Sequence, residues 1–179
     1  YDRPHSIGKL RSFHGNFGMV IRAHCFISEH GVEGLMRIGR DAILSANYLR
    51  ARLKEFYKVA YETPSMHEVV FNDEKQKANG ASTLDIAKRL IDFGFHPPTV
   101  YFPLVVPGAL MVEPTETEPL EELNRFVVAM RAVDQEIQDS REDFKDAPRT
   151  APARRFDEAT AARKPRLRYY PKVTSAAEQ

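Results

Sequence analysis

The sequence predicts an α/β fold: a short mixed or antiparallel sheet covered by helices and preceded by two lead-in helices. Three observations carry this expectation. Apolar residues recur at intervals of three and four up to Phe56; short β-branched and aromatic runs broken by proline fill the middle; and a helical stripe returns at Leu120.

The first helix is predicted from Leu10, where Phe13, Phe17, Val20, Ile21 and Ile27 recur at mostly helical spacing and Gly31 supplies a stop. The second runs from about Val32 to Phe56, with Leu35, Ile38, Ala42, Ala46, Leu49, Leu53 and Phe56 along one face. Tyr61 to Pro64 reads as a turn, Met66 to Phe71 as a strand, and the polar run Asn72 to Gly80 as a surface loop. Ser82 and Asp85 have the spacing of a capping box, in which each side chain satisfies an amide at the helix start. Leu84, Ala87, Leu90 and Ile91 then form the stripe of a short helix that Gly94 ends in a left-handed conformation.

Thr99 to Phe102 and Ala109 to Val112 are the next candidate strands, with Pro103 and Pro107 between them forcing an edge or a bend. Thr117 is positioned to cap a last helix that carries Pro119 in its first turn and that Leu120, Leu123, Val127, Met130, Val133 and Ile137 continue. The expected organisation is a helical lead-in over 1–58, a small α/β domain over 59–146, and an extended basic arm over 147–179 that packs on the domain or a partner.

At 179 residues the chain suits one substantial core with tails. Its formal net charge of +1 gives no general attraction to nucleic acid or anionic membrane. Arg149, Arg154, Arg155, Arg163, Lys164, Arg166, Arg168 and Lys172 crowd the tail, but without a helical stripe or stacked aromatics they read as a solvated or partner-facing arm. Cys25 is the only cysteine and stands among apolar neighbours, which suits a reducing, cytoplasmic setting. No apolar run approaches the roughly 20 residues of a membrane span. A chain opening Tyr1-Asp2-Arg3-Pro4 reads as a piece of a longer polypeptide.

Standalone chemistry is sparse. His5, His14, His24 and His30 form no close ligand set, so no metal is expected. Gly15-Asn16-Phe17-Gly18 lacks the lysine and hydroxyl of a phosphate loop. In a regular strand, His67 and Glu68 would diverge to opposite faces, while Thr99 and Tyr101 would share one. His96 follows a helix terminus and precedes Pro97-Pro98, whose fixed torsions hold its backbone. Glu113, Glu116 and Glu118 approach the last helix start, where its dipole favours negative charge.

Several runs carry a resemblance along nearly the whole chain. They are Asp2-Arg3-Pro4, Ser6-Ile7-Gly8, Gly15-Asn16-Phe17, Ser65-Met66-His67-Glu68, Thr83-Leu84-Asp85-Ile86-Ala87-Lys88, Gly94-Phe95-His96-Pro97-Pro98-Thr99-Val100-Tyr101-Phe102-Pro103, Glu113-Pro114-Thr115-Glu116-Thr117-Glu118 and Thr150-Ala151-Pro152-Ala153-Arg154-Arg155-Phe156-Asp157-Glu158. In these the chain closely resembles the C-terminal part of glycine decarboxylase, the glycine cleavage P-protein, in its split two-subunit form and within that form subunit 2.

The resemblance implies the small C-terminal domain of a fold-type I, aspartate-aminotransferase-like enzyme that uses pyridoxal phosphate. Such an enzyme decarboxylates glycine with the cofactor ring as electron sink and passes the aminomethyl group to the lipoyl arm of the carrier H-protein. The implied partners are the large domain of the same subunit, glycine decarboxylase subunit 1 and lipoylated H-protein. The family's cofactor lysine lies in a His-Lys-Thr motif that this sequence does not contain, so no Schiff-base lysine and no catalytic residue is assigned, and the piece is expected to be inactive alone. His96, Tyr101, His67, Thr99 and Glu116 are the expected cleft-lining residues, with Arg3, Arg154 and Arg155 the candidates for holding a substrate carboxylate. An independent interaction module, or a pyridoxal enzyme acting on another amino acid, are the alternative readings.

Overall fold

The computed structural model describes residues 2–11, 13–139 and 144–169. Lys172 and the rest of the basic arm beyond 169 lie outside the described residues. The elements run α1 (Phe17–Leu53), β1 (Lys58–Val59), β2 (Val69–Asn72), α2 (Glu74–Lys77), α3 (Thr83–Asp92), β3 (Thr99–Val100), β4 (Ala109–Val112), α4 (Leu120–Gln138) and α5 (Glu158–Arg163).

The lead-in is helical and broken where expected: Gly31 leaves helical geometry at φ 61°, ψ −175° and divides α1. The helix begins later than the apolar spacing indicated. Asn16 accepts from the Met19 N–H and caps Phe17, so Leu10, Phe13 and His14 precede the helix. The first half of α1 buries nothing: Phe17, Val20, Ile21 and Ile27 are exposed. Cys25 is exposed as well, contrary to its apolar surroundings in sequence. The second half does the packing, with Ala46, Leu49 and Leu53 buried.

The sheet is antiparallel at every pairing, in the order β1-β2-β4-β3. Val69 faces Val112 and Phe71 faces Leu110 across β2 and β4, which places these four buried side chains on one face. Leu49, Leu53 and Tyr57, Ile86 and Leu90 of α3, and Leu123, Val127, Met130, Val133 and Ile137 of α4 complete a single core against that face. Tyr57 is fully buried and its hydroxyl donates to the Met130 carbonyl at 2.8 Å. Burial first, and the nearby Asp134 charge second, push its phenol well above the ordinary tyrosine range.

The α3 expectations hold in detail. Ser82 and Asp85 form both bonds of the capping box. At the other end Gly94 adopts φ 83° while the Phe95 N–H donates to Leu90 O and the Gly94 N–H to Ile91 O, the paired bonds of a Schellman motif.

Five local readings need correction. The run Asn72 to Gly80 is no plain surface loop: it contains the one-turn α2, and Asp73 and Gln76 are buried. They are buried through hydrogen bonds, Gln76 Nε2 donating to Asp134 Oδ1 at 2.5 Å and Asp73 accepting from the Thr83 N–H at 3.0 Å. The strand expected from Met66 starts only at Val69, and the one expected to reach Phe102 ends at Val100. Pro119, not Thr117, takes the cap position of α4, Leu120 beyond it is exposed, and Thr117 hydrogen-bonds Thr115 instead. The arm also carries a six-residue helix, α5, capped by the Asp157 carboxylate on the Thr160 N–H.

Candidate functional site

Register explains where the candidate residues meet. Because Val69 pairs with Val112, the residues just before β2 and just after β4 leave the sheet at the same end. Continuing that register brings Glu113 to Glu68, with His67 beside both. The His67 Nε2 lies 3.5 Å from Glu68 Oε1 and 3.8 Å from Glu113 Oε1. His67 and Glu68 therefore converge, against the expectation for a regular strand, because neither is in the strand.

Two cavities flank this end of the sheet. The larger, about 480 Å³, lies between Leu49 of α1, β4, the start of α4 and the loop that leaves α3; His96, Thr99, Glu113, Glu118 and Glu122 supply its polar lining. The smaller, about 360 Å³, lies between the Ile38–Ile43 stretch of α1 and the segments leaving β2 and β4; His67, Glu113, Thr115 and Glu116 line it. Glu113 and Pro114 are common to both.

Of the expected cleft residues, His96 and Thr99 share one cavity, and His67 and Glu116 the other. Tyr101 joins neither. With β3 ending at Val100 and Tyr101 at φ 57°, the alternation that would have put Thr99 and Tyr101 on one face does not apply. Tyr101 borders a separate hollow with Asp73, Lys77, Ser82 and Gly108. Arg155 already serves an internal carboxylate, Asp85, at 2.6 Å, and Arg3 and Arg154 are exposed on the terminal segments.

Two histidines, several carboxylates and two threonine hydroxyls can move protons and hold a small cationic or amine-bearing group. The ligand atoms of His67, Glu68 and Glu113 lie within 4.8 Å of one another, a grouping that the sequence did not foretell and that a divalent ion could bridge; exposed acidic groups often meet so without one. Pyridoxal phosphate needs a lysine for its carbonyl and donors for its phosphate. Among the described residues no lysine or arginine lines either cavity, so the residues present here do not fit its anchoring. Glu113 was visible only as part of a glutamate-rich helix approach, and nothing in its spacing pointed to His67.

An antiparallel sheet under helices, with histidine and carboxylate cavities at one end and a helical lead-in, defines a small α/β domain. The family model described as glycine dehydrogenase, C-terminal domain, matches residues 39–152, and the chain belongs to that family. Proteins named "Probable glycine dehydrogenase (decarboxylating) subunit 2" are similar along most of the chain. The one from Exiguobacterium sibiricum is 50% identical over 172 residues, which is 96% of this chain and 35% of the relative. That from Caldanaerobacter subterraneus subsp. tengcongensis is 51% identical over 169 residues, 94% of this chain and 35% of the relative. That from Chlorobium phaeobacteroides is 51% identical over 164 residues, 91% and 34% respectively. The chain thus spans about a third of the length of these curated relatives. Among the described residues no helix is long and apolar enough to cross a membrane.

Proposed function

We propose that the chain serves as the C-terminal domain of a cytoplasmic glycine dehydrogenase (decarboxylating) subunit 2. The whole enzyme decarboxylates glycine with pyridoxal phosphate and hands the aminomethyl group to the lipoyl arm of H-protein. Pyridoxal phosphate supplies the electron sink, and its anchoring lysine comes from the large domain, so this chain alone is inactive. Subunit 1 completes a heterotetramer.

The observation that carries this reading is the match of residues 39–152 to the glycine dehydrogenase C-terminal domain family, and the convergence of His67, Glu68 and Glu113 between two cavities at the end of the sheet supports a cleft there. In this role His67, Glu116, His96 and Thr99 wall the cleft, fix the path of the incoming amine and lipoyl arm, and limit water, while Tyr101 stands apart beside Asp73 and Gly108. Residues 1–58 form the connection to the large domain, 59–146 the closing domain, and 147–179 an arm that packs on the domain or a neighbour. The exposed apolar residues Phe17, Val20, Ile21 and Ile27 support such a connection, since a helix this apolar calls for a covering surface.

The test is to co-express the full-length subunit with subunit 1 and measure glycine-dependent CO2 release with lipoylated carrier. Substituting His96 by Ala or His67 by Gln is expected to lower turnover by about tenfold or more while leaving the fold intact. An assembled complex that bound no pyridoxal phosphate would overturn the reading.

A further inference from the structure

Asn47, in the packed half of α1, pairs its side-chain amide with both backbone polar groups of one distant residue, Ser65. Its Nδ2 donates to the Ser65 carbonyl at 2.7 Å and its Oδ1 accepts from the Ser65 N–H at 2.9 Å. The same Nδ2 reaches Ile43 O of its own helix at 2.8 Å, which fixes the amide's orientation. An amide facing the N–H and C=O of one residue in this way reproduces the reciprocal bonds of an antiparallel residue pair. Ser65 is held as if a strand ran beside it, although the ladder begins only at Val69.

One helical turn along, Arg50 donates from Nη2 to Glu62 O at 2.6 Å and to Tyr61 O at 3.5 Å. Two side chains of α1 therefore grip both ends of the turn that precedes Met66-His67-Glu68. Between the Ser65 clamp and the start of β2 lie just those three residues. Burial does not order them: Met66 is 68% exposed and the His67 side chain 55% exposed. A reciprocal amide pair is thus placed beside a segment with little apolar area of its own to gain.

We propose that Asn47 is a positioning residue for His67. By fixing the Ser65 backbone it holds the imidazole against Glu68 and Glu113 at the smaller cavity, so that the ring and the two carboxylates meet at a set geometry. This deepens the cleft reading of His67 and rests on it for its functional consequence, but not for its structural one.

The structural arm uses the intact chain and NMR. Asn47→Ala is expected to speed exchange of the Ser65 amide by about tenfold, the usual worth of a lost hydrogen bond, and Asn47→Asp, which keeps the acceptor, by less. Glu113→Gln should move the His67 ring resonances in the wild type and move them less than a third as far in Asn47→Ala. If Asn47→Ala fails to fold, Asn47→Asp carries the comparison. An equal response to Glu113→Gln in both backgrounds overturns the proposal. The functional arm uses the assembled enzyme, where Asn47→Ala and His67→Gln together should lose no more turnover than His67→Gln alone. Additive losses would overturn positioning through His67. If His67→Gln leaves turnover unchanged, the cleft reading fails instead, and the NMR comparison still decides what Asn47 does.

Discussion

Arg155 reaches back to Asp85 across the start of α3, its Nη2 2.6 Å from the carboxylate Oδ1. The same guanidinium donates to Ala147 O at 2.9 Å and Phe144 O at 3.1 Å. Two turns along the helix, Asp92 Oδ1 accepts from the Arg149 N–H, the Thr150 N–H and the Thr150 hydroxyl at 2.6, 2.8 and 2.9 Å. Residues two turns apart share a helix face, so one side of α3 straps the first part of the arm at two points. Asp92→Ala leaves two backbone N–H groups without their acceptor and is expected to cost about 1–3 kcal/mol in urea unfolding. Arg155→Ala, at the more exposed end, should cost under about 1 kcal/mol. Amide exchange at Thr150 would separate the two: acceleration in Asp92→Ala with none in Arg155→Ala is the expected pattern.

The strap also makes stability depend on pH. Burial tends to raise the Asp85 carboxyl, but hydrogen bonds from Ser82 and the bond and charge of Arg155 outweigh it and hold the group below its usual range. At Asp92 burial is likewise outweighed, by the Thr150 and Arg149 amides, the Thr150 hydroxyl and Arg89. A carboxylate with a lowered pKa in the folded state contributes stability that is full above the unfolded value, about 3.9, and is lost as pH falls through the folded value. The urea midpoint should hold from pH 7 to about 5 and fall below about 4. The fall should be shallower in Asp92→Ala; an identical acid profile would place the dependence elsewhere.

Gly108 is the third point where a small change should tell. It sits at φ 65°, its carbonyl accepts from the Thr83 hydroxyl at 2.7 Å, and a Cβ there would land on the Asp73 carboxylate. Asp73 cannot move away cheaply, since its Oδ2 accepts from the Thr83 N–H at 3.0 Å. Gly108→Ala is expected to destabilise the chain by more than about 1 kcal/mol, from backbone strain and overlap together. The overlap is shared with Asp73, so Gly108→Ala combined with Asp73→Ala should cost less than the sum of the two single changes in thermal unfolding.

How much of this was open to sequence reasoning depends on whether a local rule was enough. The capping box of Ser82 and Asp85, the Gly94 terminus, the Gly31 break and the Ala109 to Val112 strand each follow from a few neighbouring residues, and each is present. The burial of Gln76 was not legible, because its partners Asp134 and the Phe56 carbonyl are distant in sequence and make a polar run internal. The same holds for the site. His96 and Thr99 could be suspected from a proline-stiffened loop, but the approach of Glu113 to His67 depends on the β2–β4 register and on the strand starting after Glu68. Alternation gives the wrong answer at Thr99 and Tyr101 because one residue leaves the ladder. The hold of Asn47 on Ser65 is likewise tertiary, an ordinary helical asparagine in the sequence.

That departure from the ladder at Tyr101 supports a last expectation. Its φ of 57° is a left-handed conformation that a side chain with a Cβ adopts at a cost of about 1–2 kcal/mol, while glycine adopts it without penalty. The backbone is nevertheless held there: the Tyr101 N–H donates to Ala109 O at 2.8 Å, and the loop beyond presents Leu104 and Val105 at 86% and 79% exposure. Tyr101 itself is about half exposed, so its ring contributes modest packing. Comparing Tyr101→Ala with Tyr101→Gly separates backbone from side chain, because both remove the ring but only glycine relieves the strain. The glycine variant should be more stable than the alanine variant by about 1 kcal/mol in urea unfolding, the reverse of their order at an ordinary strand position. An alanine variant equal to or more stable than glycine would mean that the left-handed turn is not the conformation the chain keeps in solution.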